Sequence, residues 1–116
     1  MSATPEPGPG AGGGGGPVAG CDLCEAARIT PWHHEDDVCW VADCEVCDVP
    51  MVVWKHHGPV PPEDAVTHML TELGRVADGR FGSDGWKVDR VMRQIPDHFH
   101  AHGRDPGWWF RRFERR

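Results

Sequence analysis

Three histidines separated by single residues, in His98-Phe99-His100-Ala101-His102, constrain this chain more than any other feature. Strand side chains alternate between two faces, so an extended segment turns the three imidazoles to one side and Phe99 and Ala101 to the other. A neutral imidazole can ligate a metal, carry a proton or attack phosphorus near pH 7, so the segment is a candidate site as well as a strand. The plain alternative is a histidine-rich strand without chemistry. Metal-type cysteines elsewhere in the chain argue against it.

There are five cysteines, four of them arranged as Cys21-Asp22-Leu23-Cys24 and Cys44-Glu45-Val46-Cys47. An odd number of cysteines in paired Cys-x-x-Cys spacing points to metal ligands rather than disulfides. Nineteen residues separate the two pairs, within the range of a four-cysteine zinc ribbon. On spacing alone, Cys44 and Cys47 are therefore an alternative to histidines as partners of Cys21 and Cys24. Cys39 falls within an apolar run and reads as a small buried thiol.

Residues 1–18 are so rich in glycine, proline and small side chains that they cannot bury enough apolar surface to offset ordering entropy, and they read as a disordered tail. About a hundred residues remain, enough for one domain with a modest core that a bound metal would help to stabilise. We take it to span 19–104, followed by a basic aromatic segment at 105–116. That segment interleaves Trp108, Trp109, Phe110 and Phe113 with arginines. Such a segment can stack on a base and contact phosphates, but the commoner role, and the expected one, is to pack on the domain or on a second subunit.

Two short strand-like runs flank Glu35-Asp36-Asp37, and Met51-Val52-Val53-Trp54 reads as a central strand. Pro61-Pro62-Glu63-Asp64 then opens a helix whose apolar residues Val66, Met69, Leu70, Leu73 and Val76 recur at helical spacing as far as Gly79. Trp86–Met92 and Asp97–His102 read as further strands. The expected fold is α+β: an antiparallel sheet with one main amphipathic helix on a face.

A net charge of −6 argues against a general nucleic-acid surface. No apolar stretch reaches the length of a signal-peptide core or a membrane span, so a cytoplasmic protein is expected. The charge is uneven. Glu35–Asp48 holds six acids and no Lys or Arg, whereas Arg104–Arg116 holds five arginines.

Taken in order, these motifs resemble the histidine-triad superfamily of nucleotide hydrolases and transferases, across most of Cys21 to His102. The matching features are Cys21-x-x-Cys24, the acidic turn and strand of Glu35 to Asp43, the apolar strand ending Lys55-His56-His57, a helix, and the triad strand. Gln94 keeps the register of a glutamine that precedes the triad. The resemblance implies zinc held by Cys21, Cys24, His57 and His98 as a structural staple. It also implies His100 as nucleophile toward an α-phosphate, His102 as a group that orients or polarises that phosphate, and Asp43 near a ribose. A nucleotide-type small-molecule substrate and a homodimer are implied as well.

Arg93 and Ile95 stand where the family has a glycine and a serine, and Gly103-Arg104-Asp105-Pro106 replaces its usual ending. Arg93 or Arg104 can supply a charged phosphate contact in place of the lost serine. The competing functional class is a non-catalytic zinc module, in either ligand arrangement, that binds a nucleotide or a protein partner. His33 and His34 read as surface residues, His68 as a partly buried structural histidine of the helix, and His56 as the alternative to His57, since neighbours on a strand face opposite ways.

Overall fold

The computed structural model describes residues 20–26, 28, 30–45, 48–92 and 95–108. A short helix, α1 (Asp22–Glu25), precedes strands β1 (Trp32–Glu35), β2 (Cys39–Asp43) and β3 (Pro50–Trp54). Helix α2 (Glu63–Phe81) and strands β4 (Lys87–Asp89) and β5 (His100–Arg104) follow. The strands form one antiparallel sheet in the order β1-β2-β3-β5-β4. The α+β architecture is thus observed, with β3 at the centre of the sheet.

The ladder assigns every strand side chain to a face. Val41 pairs with Val52, and Val52 with Ala101. These three pack with Cys39, Trp54 and Phe99 against Met69 and Leu73 of α2 in the main core. Met69, Leu73 and Ala77, four residues apart, form the stripe that α2 buries. On the opposite face, Trp40 pairs with Val53 and Val53 with His100, while Ala42 pairs with Met51 and Met51 with His102. Trp40, Ala42 and Val53 pack there with Leu23 of α1. His100 and His102 therefore share the α1 face, away from the main helix.

Three boundaries differ from those read in the sequence. Helix α2 does not stop at Gly79 but continues to Phe81 and ends at Gly82, whose φ of 84° only glycine adopts readily. Glycine inside a helix costs under about 1 kcal/mol, which burial of the Met69–Leu73–Ala77 stripe easily exceeds. Strand β4 covers Lys87–Asp89 instead of Trp86–Met92: it pairs with Arg104 to His102 of β5, Trp86 before it donates to Asp78 of α2, and the Asp89 carboxylate after it takes the Val91 amide at 3.0 Å. Strand β5 begins at His100, so His98 precedes it. Pro96 and Asp97 form a turn, and the His98 side chain that follows it donates to the Trp54 carbonyl.

Among the described residues, no helix is long and apolar enough to cross a membrane. The tail at 1–18 and most of the basic aromatic segment, 109–116, lie outside the described residues.

Candidate metal centre and histidine face

Helix α1 is one turn long and carries Cys21 at its start and Cys24 inside it. Its single buried side chain, Leu23, anchors it to Trp40, Ala42 and Val53. That contact holds both thiols over the end of β3, where His57 and His98 arrive from two other segments. His98 Nδ1 lies 3.5 Å from Cys21 Sγ and 3.4 Å from Cys24 Sγ, and His57 Nδ1 lies 3.3 Å from Cys24 Sγ. The four donor atoms all fall within 4.8 Å of one another. This group can bind a metal ion.

The far nitrogen of His98 decides its tautomer. His98 Nε2 donates to the Trp54 carbonyl at 2.7 Å, and a carbonyl can only accept. His57 Nε2 faces Asp97 Oδ2 at 3.4 Å. The His98 ring thus keeps a lone pair on Nδ1, aimed at the thiols. An oxygen acceptor behind each ligating histidine is the usual outer shell of a metal site. His98 is almost fully buried, at 1% exposure, and burial, with the nearby His57 adding to it, lowers its pKa against the hydrogen bond to Trp54. A neutral ligand is the form that this environment favours.

His98, His100 and His102, at 1, 5 and 7% exposure, are the buried polar side chains among the described residues. His100 Nδ1 donates to the His98 carbonyl at 2.8 Å, which leaves the Nε2 lone pair available. Burial lowers its pKa as well. His102 packs edge-on to His100 with ring centroids 5.6 Å apart, and its Nδ1 is buried without a hydrogen-bond partner among the described residues.

The other residues singled out in the sequence fall in several places. Asp43 Oδ1 accepts from His33 Nε2 at 2.8 Å and from Arg80 Nη1 at 3.0 Å. Arg104 Nε donates to Asp89 at 2.7 Å, and its guanidinium lies 4.1 Å from the centre of the Trp108 ring. Cys44 is not in the four-donor group; it sits close enough to His100 to affect its titration. His56 leans on Trp54 at the surface and takes no part in that group. Arg93, Gln94 and Cys47 lie outside the described residues.

Comparison with protein-family models, curated proteins and solved structures gave no match. The residues and their geometry therefore carry the functional argument alone.

A second group is one that sequence reasoning missed. His34, Asp36, Cys39 and His68 also bring one donor atom each within 4.8 Å of the others. His34 and His68 both place Nε2 at 2.6 Å from Asp36 Oδ2. Burial would raise the pKa of Asp36, but hydrogen bonds from His34, His68 and the Val38 and Cys39 amides hold it below the usual carboxylate range. Burial, reinforced by the charges of Asp36 and Glu72, pushes the Cys39 thiol up to about 12. The sequence signal was the spacing His34-x-Asp36-x-x-Cys39 across a hairpin. Its partner His68 is distant in sequence.

Proposed function

We propose that this chain is a zinc-containing domain of the histidine-triad type that hydrolyses or transfers nucleotidyl groups through His100. The observation that carries the reading is the His100 tautomer: Nδ1 donates to the His98 carbonyl, so the unshared pair on Nε2 belongs to a buried, neutral imidazole. Such a nitrogen attacks the α-phosphorus of a bound nucleotide. The new N–P bond forms as the bond to the leaving group breaks, and the leaving group departs with the electron pair and takes up a proton. Water or a second acceptor then cleaves the N–P bond and regenerates the imidazole. His102, whose Nδ1 has no partner among the described residues, supplies a donor to the phosphate oxygens as charge builds on them.

Cys21, Cys24, His57 and His98 would hold the zinc. Bonds of about 2.3 Å to sulfur and about 2.0–2.1 Å to nitrogen in a tetrahedron separate the two atoms by about 3.6 Å. The sulfur–nitrogen distances of 3.3–3.5 Å fit that edge. Four protein donors leave no open position, so the ion would supply structure rather than Lewis-acid chemistry. A reducing, cytoplasmic setting suits the thiolates, and the resemblance to the histidine-triad proteins also implies a homodimer.

A non-catalytic module is the second reading, and low exposure favours it. His100 and His102 are 5 and 7% exposed, so a phosphate reaches them only if their cover moves. Incubation with a panel of nucleoside phosphoramidates and dinucleoside polyphosphates separates the two. Turnover by the wild type that disappears in folded, metal-loaded His100→Ala is expected. Undiminished turnover in that variant would remove His100 as the nucleophile, and binding without turnover in the wild type would leave the non-catalytic module.

A further inference from the structure

The second donor group lies on the helix side of the sheet, opposite the triad face. It is assembled by a β-bulge. Trp32 pairs with Ala42, but the register slips between Trp32 and His34, so that His34 pairs with Val41. In a regular strand Trp32 and His34 would face the same way. The bulge instead sends Trp32 to the α1 face, where it stacks on Trp40 at 4.5 Å, and turns His34 toward α2. Re-aiming a side chain at a site is a common use of a bulge.

Asp36 meets His34 from the hairpin turn. Its Oδ1 accepts the backbone amides of Val38 and Cys39 at 2.8 and 3.0 Å, which fixes the carboxylate and presents Oδ2 to the two imidazoles. His68 reaches the same oxygen from α2, and Cys39 lies beneath with no exposure. Glu72 Oε1 stands 3.6 Å behind His34 Nδ1. It is a carboxylate on the far side of a ring, like Asp97 behind His57. Arg75 Nη2 also contacts that Nδ1, at 3.2 Å. The first neighbour favours the tautomer that frees Nε2, and the second the tautomer that protonates it.

We propose that His34 Nε2, His68 Nε2, Asp36 Oδ2 and Cys39 Sγ form a second site for a divalent transition-metal ion, separate from the Cys21–Cys24–His57–His98 group. One carboxylate oxygen gives two imidazoles a shared acceptor, but a cation gives all four donors a common partner. Two nitrogens, one oxygen and one sulfur make a borderline-soft set suited to zinc and its neighbours rather than to magnesium or calcium. Binding releases the Cys39 thiol proton to solvent and turns Arg75 away from His34, leaving Glu72 to accept from Nδ1. His68, with its side chain 39% exposed, leaves the site open to solvent from the helix side.

The test titrates metal-free protein with zinc alone and counts bound equivalents by calorimetry and elemental analysis, with circular dichroism to confirm folding. His68→Ala suits an exposed helical position. His68→Gln keeps a hydrogen-bond donor for Asp36 but is a poor metal ligand. Both variants should bind one equivalent fewer than wild type, and Cys24→Ser should lose a different one. A folded His68→Gln protein that binds as much zinc as wild type overturns the proposal, because a purely structural hydrogen bond would leave the count unchanged.

Discussion

His98 commits one nitrogen to the Trp54 carbonyl, and His100 does the same through the His98 carbonyl. These side chains are held neutral by where they sit. Burial is the main cause of the lowered pKa of both His98 and His100, and the unfolded chain returns them to an ordinary value near 6.5. The unfolded state then binds more protons than the folded state as the solution becomes acidic, and stability falls. The contribution is complete above about pH 6.5 and is lost as pH drops toward the lowered folded value. Asp36 has the same sign but acts below its ordinary value of 3.8. With chelator present, the urea midpoint of the wild type should decline between about pH 7.5 and about pH 5.5, and less steeply in His100→Asn. A level wild-type midpoint across that range would contradict the burial argument.

Among the elements, α2 gives the sharpest test of where sequence and structure part. Its run past Gly79 means that this glycine occupies an ordinary helical position, and a Cβ there meets nothing within 4 Å. Gly79→Ala should therefore raise stability by about 0.5–1 kcal/mol in chemical denaturation. Had the helix ended at Gly79 in a left-handed turn, the same change would destabilise. The apolar stripe of α2 and the run at Met51–Trp54 were readable because burial imposes a period that survives in one dimension. The start of β5 was not. His98 sits at a bend after the Pro96–Asp97 turn and gives its side chain to the Trp54 carbonyl and the thiols, while His100 and His102 remain in the strand. The His34–His68 group was hidden for a related reason: the bulge breaks the alternation that would have predicted the direction of His34. Pairing of the two histidines then depends on how α2 crosses the sheet.

Over the whole molecule, two bodies of packing differ in what holds them. The core between the sheet and α2 joins β2, β3, α2, Phe99 and Ala101 through buried apolar side chains, and it involves neither donor of α1. Helix α1 has four residues, no side-chain cap and one buried side chain. A helix that short has no stability of its own. Its position depends on Leu23 and on whatever joins Cys21 and Cys24 to His57 and His98. Removing the metal should therefore open α1 locally and leave the rest folded, the behaviour of a low-stability unit on a stable scaffold. Hydrogen exchange reads this directly. The amides of Glu25 and Ala26, bonded to the carbonyls of Cys21 and Asp22 at 3.0 Å, should lose protection when chelator is added, whereas those of Met69 and Leu73 keep theirs. If α2 lost protection at the same chelator concentration as α1, the metal would be holding the entire fold. The separation between core and staple would then be wrong.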